Sequence, residues 1–159
     1  MINVKIIATG SLKEAYLRDA AAEYSKRLSA FCRLETVELK EARVYDDGSP
    51  SAAAAALSDE AERILAAVPP RAFTVALCIE GKEYDSAALA GILGRAADEK
   101  GCICFIIGSS HGLDERVKAA CDLRLSLSKL TFPHQLFRIM LLEAVYRSFN
   151  IINGTKYHK

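Results

Sequence analysis

Two apolar runs constrain this fold more than any other feature: Phe73-Thr-Val-Ala-Leu-Cys-Ile79 and Cys102-Ile-Cys-Phe-Ile-Ile107. Each has the length of a strand and lacks the alternation expected when one face meets water. Such runs belong to a parallel sheet buried on both faces. Parallel strands need long crossovers, usually helical, and helical patterns lie between the strand-like ones. A first strand is expected over 4–8. Ser11 then opens a helix, with Glu14 completing a capping box. Its apolar stripe is Leu17, Ala20, Ala21, Tyr24, Leu28 and Phe31. A second strand covers 34–39, and a polar loop covers 42–51, with Asp46, Asp47, Gly48 and Pro50. The alanine run 52–56 continues into a helix stopped by Pro69-Pro70.

Gly81-Lys82 should turn the chain, and a helix capped from Asp85 or Ser86 should run over 86–100. After the second apolar run, 108–112 forms a loop and 114–120 a short helix. Leu123, Leu125 and Leu127 alternate in a last strand, and 133–152 is a final helix carrying Phe137, Leu141, Val145, Phe149 and Ile152 on one stripe. Five strands alternating with five helices predict an α/β fold: a three-layer, open, mainly parallel sheet with helices on both faces. A length of 159 residues fits one domain over 1–159.

Composition narrows the function classes. No apolar run approaches the roughly 18 residues of a membrane span, and the opening residues lack the pattern of a signal peptide. The five cysteines are Cys32, Cys78, Cys102, Cys104 and Cys121, without a C-x-x-C pair. Cys102 and Cys104 share one strand face, as buried filler. A cytoplasmic chain without disulfides or a metal is expected. The net charge of +1 conceals an asymmetry. Between Arg124 and Lys159, six basic residues face one acid, Glu143, whereas the remainder holds fifteen basic and nineteen acidic residues. A basic end points to an anionic or nucleic-acid partner. A nearly neutral total suits docking on an assembled particle better than binding naked RNA.

Ligands of open α/β sheets sit beyond the carboxyl ends of the strands. Here those positions are the loop after Ile79, the loop Gly108–Gly112 and the loop Ser126–Phe132. The P-loop and G-x-G-x-x-G patterns are both absent. Gly108-Ser109-Ser110-His111-Gly112 matches the G-x-S-x-G nucleophile elbow. A competing reading is therefore a serine hydrolase using Ser110, with Asp114 or Asp122 and His134 or His158. Arg138, Leu142 and Tyr146 form a second stripe on the last helix, suited to phosphate and base contacts or to a second subunit. In the tail Tyr157-His158-Lys159, the aromatic rings can stack on unpaired bases and the lysine can meet phosphate.

The segment Leu125-Ser-Leu-Ser-Lys-Leu-Thr-Phe-Pro-His134, with Arg138, Glu143, Tyr146, Arg147 and Tyr157-His158-Lys159, closely resembles the ribosomal large subunit methyltransferase H family, of the SPOUT class. Val4-Lys-Ile-Ile-Ala-Thr-Gly10, Leu12-Lys13 and Glu23-Tyr-Ser-Lys-Arg-Leu28 extend the resemblance along the chain. It implies methyl transfer from S-adenosyl-L-methionine to N3 of a pseudouridine in the helix 69 loop of 23S ribosomal RNA, on the ribosome. It also implies a homodimer and a C-terminal trefoil knot. The cofactor contacts it implies are Leu77, Gly108, Leu127, Ser128, Lys129, Leu130, Thr131 and Phe132. Arg138 and Lys159 would hold RNA phosphates, Tyr157 would stack on the base, and His158, crossing the dimer interface, would accept a proton. Where the family has Gly-Gly, this chain has Gly108-Ser109. A side chain there would crowd the cofactor if position 109 used positive φ. Altered affinity is expected from this departure. Abolished binding would instead leave a non-catalytic RNA- or ribosome-binding protein.

Overall fold

The computed structural model describes residues 1–44 and 48–159. Five strands, β1 (Ile2–Thr9), β2 (Cys32–Leu39), β3 (Phe73–Lys82), β4 (Cys102–Ile107) and β5 (Leu123–Leu125), form one sheet in the order β2-β1-β4-β3-β5. Every neighbouring pair is parallel. The helices are α1 (Ala15–Leu28), α2 (Pro50–Ala67), α3 (Ser86–Lys100), α4 (Glu115–Ala120) and α5 (His134–Ile152).

The period of two along each strand sorts the core into two layers. Val4 and Ile6 of β1, Val75 and Leu77 of β3, and Ile103 and Phe105 of β4 pack beneath α1, α3 and α5, where Leu28, Leu93, Leu141 and Val145 meet them. The alternate residues Ile7, Ala76, Cys104 and Ile106 pack beneath α2 and α4, against Ala61, Ile64 and Val117. Both faces are thus dry, as the apolar runs require. Cys102 and Cys104 lie in this second layer, and burial pushes the Cys104 thiol up to about 12.

The departures from the sequence reading have local causes. The first helix starts at Ala15, and Glu14 occupies the capping position without a side-chain bond. The Lys13 N–H donates instead to Gln135 Oε1 at 2.9 Å, and Arg18 donates to the carbonyls of Leu12 and Lys13. Residues 11–14 are therefore tied to α5 and are not free to coil. The second helix begins at Pro50, inside the expected loop, because Ser49 caps it through the Ala52 N–H and proline suits the first turn. Asp46 and Asp47 of that loop lie outside the described residues. Gly81-Lys82 belongs to β3, which leaves its partner after Leu77 and returns to Leu125 at Lys82. The last strand ends at Leu125, one alternation early.

The registers align the strand ends. Thr9 stands against Leu39, Ala8 against Ile107, and Leu77 against both Ile107 and Leu125. The loops that follow all five strands therefore gather on one edge of the sheet.

Candidate active site

A cleft of about 730 Å³ opens on that edge, over the ends of β3, β4 and β5. Of the residues expected to hold a cofactor, Leu77, Gly108, Leu127, Ser128, Leu130, Thr131 and Phe132 all line it. Lys129 does not. Its ammonium points to solvent, 3.8 Å from Glu83. The sequence reading missed Ile79, Glu80, Lys118 and His134 as lining residues. The loop over 126–132 holds its own shape. Ser126 Oγ donates to the Ser128 carbonyl at 3.0 Å, and Ser128 Oγ accepts from the Leu130 N–H at 3.0 Å. Leu130 is left 71% exposed and Ile79 51% exposed on the rim, two large apolar groups that a bound molecule or second subunit would cover.

Gly108 lies so close to the returning loop that a Cβ would fall 2.2 Å from the Gly112 carbonyl oxygen. Ser109 is buried, and among the described residues the only non-glycine with positive φ is Arg71. Its Oγ donates to Glu60 Oε1 of α2 at 2.8 Å, and Glu60 Oε2 accepts the Ala42 N–H at 2.9 Å. The side chain at 109 is thus held by α2, and the crowding that positive φ would have caused does not arise. This bridge was illegible in the sequence, since Glu60 looks like one more helix-surface acid.

The hydrolase reading does not survive the geometry. Ser110 Oγ bonds Glu41 Oε1 at 3.0 Å. Asp122 is occupied by the amide and hydroxyl of Thr74, and Asp114 caps α4 through the Arg116 N–H. No imidazole completes a triad with Ser110 among the described residues.

Arg138 and the tail lie apart from the cleft lining. Arg138 is 5% exposed. Its guanidinium donates to Glu38 Oε2 at 2.6 Å and to the Gly10 carbonyl at 3.0 Å, locking α5 to the ends of β1 and β2. Leu142 on the same stripe is also buried. Tyr157 docks on α5. Its ring meets Tyr146 edge-on at 4.8 Å, lies under the Arg147 guanidinium at 4.7 Å, and its hydroxyl donates to Glu143 Oε2 at 2.9 Å. Arg147 grips the other Glu143 oxygen at 2.7 and 2.9 Å and reaches His158 Nδ1 at 3.3 Å. Burial alone would raise the Glu143 carboxyl. Hydrogen bonds from Tyr24, Arg147 and Tyr157 outweigh it and hold that carboxyl below its ordinary range. Burial and the same carboxylate push Tyr24 up to about 12. Tyr157 sits at the level of Glu143 and Tyr146, roughly 14–18 Å along the helix from His134 at 1.5 Å per residue.

The apolar rim, the side-chain-free approach at Gly108 and the hydroxyls of Ser128 and Thr131 fit a nucleoside-bearing cofactor. Among the described residues, no group of three or more His, Cys, Asp or Glu side chains is placed to hold a metal ion. Among the same residues, no helix is long and apolar enough to cross a membrane.

Comparison with known proteins agrees with this geometry. The chain is 43% identical over 159 residues to ribosomal RNA large subunit methyltransferase H of Streptococcus pyogenes serotype M5, covering 99% of this chain and all of that one. It is 42% identical over 159 residues, with the same coverage, to the protein of that name from Bacillus pumilus. Its fold is shared with a probable methyltransferase from Bordetella pertussis (TM-score 0.59, 20% identity, 93% of this chain and 95% of that one). A tRNA methyltransferase from Aquifex aeolicus also shares it (TM-score 0.51, 17% identity, 91% and 69%). The family model described as "Predicted SPOUT methyltransferase" matches residues 2–158, and the chain belongs to that family, together with the relatives named ribosomal RNA large subunit methyltransferase H.

Proposed function

We propose that this methyltransferase moves a methyl group from S-adenosyl-L-methionine to N3 of a pseudouridine in the helix 69 loop of 23S ribosomal RNA, acting as a homodimer on assembled ribosomes in the cytoplasm. The observation that carries the reading is the cleft at the carboxyl edge, lined by seven of the eight residues that the family resemblance assigns to the cofactor. When bound, the cofactor supplies an electrophilic methyl group on a sulfonium. Leu77, Leu127, Leu130 and Phe132 offer apolar surface to it, and the Gly108–Gly112 loop lets backbone approach closely. Much of the remaining task is positioning, which holds the nucleophile in line and removes the entropy of encounter.

The tail residues belong to the second half of the proposal. Tyr157 and His158 are held on α5 well away from their own chain's cleft, so a tail that acts on the substrate acts on a partner's cleft. There Tyr157 would stack on the base, Lys159 would meet phosphate, and His158 would accept the N3 proton. Arg138 is assigned a positioning role, because its guanidinium is already held by Glu38 and Gly10. The trefoil knot is part of the same proposal.

The test is transfer of labelled methyl from S-adenosyl-L-methionine to ribosomes from a strain lacking the modification, followed by nucleoside mass spectrometry. Label in N3-methylpseudouridine is the expected result. No transfer, with an authentic family member active in parallel, would end the reading in favour of ribosome binding without catalysis.

A further inference from the structure

We infer that a second cleft, beside the first, binds the phosphodiester backbone of the RNA strand flanking the methylated base. This inference rests on the methyltransferase reading above. The cleft has a volume of about 430 Å³ and is formed by Gly10, Ser11 and Lys13 after β1, Glu38 to Glu41 at the end of β2, and His134 and Gln135 of α5. His134 lines both clefts, so the two meet at that ring. The chain leaves β1 toward β2 and leaves β4 toward β5, on the far side of the sheet. That divergence lies between β1 and β4, and the second cleft opens next to it, at the carboxyl ends of β1 and β2, on the edge of the sheet where such folds take ligands.

The charges define the ligand. Glu38 is paired with Arg138, and Glu41 accepts the Ser110 hydroxyl. Lys13 and Lys40 are exposed, and among the described residues no carboxylate lies within ion-pair distance of either ammonium. The Arg18 guanidinium rests on the carbonyls of Leu12 and Lys13 and brings a third positive charge, without a carboxylate partner among the described residues. These are cations beside the proposed methyl-donor cleft, and exposed cations of this kind meet phosphate oxygens with release of counterions. The volume falls in the range of about 300–1,000 Å³ typical of small-ligand sites. It suits a nucleotide of a single-stranded loop, the form in which RNA bases can be splayed toward an enzyme. The inference moves the substrate path from the buried Arg138 to the edge formed by β1 and β2.

The experiment uses the full chain with Lys13→Glu, Lys40→Glu, the double variant, and Lys100→Glu at the opposite edge as control. Cofactor titration is expected to be unchanged in all of them. Ribosome binding by the double variant should weaken about tenfold or more, and its salt dependence should lose roughly one counterion per lysine. The Lys100 variant should match the parent. A photoreactive benzoylphenylalanine at Ser11 should cross-link to ribosomal RNA. Unchanged ribosome affinity in the double variant, or cross-links to ribosomal protein alone, would overturn the inference and leave the methyltransferase reading intact. A parent chain that binds ribosomes through these lysines yet transfers no methyl would do the reverse.

Discussion

At the scale of single residues, the glycine loop makes the sharpest demands. Gly108→Ala places a methyl group 2.2 Å from the Gly112 oxygen, in backbone that cannot rotate away. Overpacking of this kind costs about 1–3 kcal/mol. The expected result is a lower Tm together with cofactor affinity reduced by at least tenfold, read by thermal melting and calorimetric titration. Ser109→Ala tests the opposite effect. It deprives the buried Glu60 of one of the two partners it has among the described residues, at the cost of an unsatisfied polar group, about 1–3 kcal/mol. Ser109→Gly should lower stability in the same way. If cofactor affinity collapses in both while Tm stays put, the hydroxyl touches the cofactor and not α2. Position 109 also shows where sequence reading ends. The pattern Gly108-Ser-Ser-His-Gly112 located the loop correctly. Yet which serine pairs with which carboxylate depends on α2 and on the segment before it, 49 and 69 residues away in the chain.

At the scale of elements, α5 joins the cleft to the tail, and its latch titrates. The Glu143 carboxyl is depressed in the folded state, so its contribution is present above the ordinary carboxylate pKa and is lost as pH falls through the lower folded value. Tyr24 behaves in the opposite sense. Its phenol is raised from 10.0 to about 12, so its contribution is complete below 10 and disappears as pH rises between those values. Tail order, followed by hydrogen exchange at residues 155–158, should therefore be greatest at intermediate pH and fall at both extremes. Glu143→Gln should remove the acid limb. An acid limb that persists in that variant would assign it elsewhere. The elements themselves were largely legible, because residues 73–79 of β3 and the whole of β4 are near-continuous apolar runs and α3 carries its own cap at Asp85. The errors fell where tertiary bonds override local signals. Gln135 ties the Lys13 amide to α5 in place of a first helical turn opened at Ser11, and the return of β3 to Leu125 turns an apparent Gly-Lys turn into strand.

At the scale of the whole molecule, the sequence shows a basic C-terminal segment, but its cations do not act together. Arg138 is consumed inside the fold, Arg147 holds Glu143, Arg124 meets Glu115 at 2.8 Å, and only the tail and Lys129 extend the charge outward. The charge count marks a basic end of the chain without revealing which of its cations are left to face a partner, since pairing is a property of the fold. If the tail serves a partner's cleft, two broken chains should repair each other. One chain would lack residues 157–159 and keep its cleft. The other would carry Gly108→Ala and keep its tail. Each alone should be inactive, whereas a mixed dimer joins one sound cleft to one sound tail. Random exchange in a two-fold dimer makes about half the dimers mixed, each with one working site, and predicts about a quarter of parental activity. Activity in the tail-less chain alone would remove the tail from the chemistry. Two inactive parents whose mixture stays inactive, although native mass spectrometry shows exchanged dimers, would mean that the tail serves its own chain. That would require it to leave Glu143 and Tyr146, and tail exchange protection would then fall on cofactor binding.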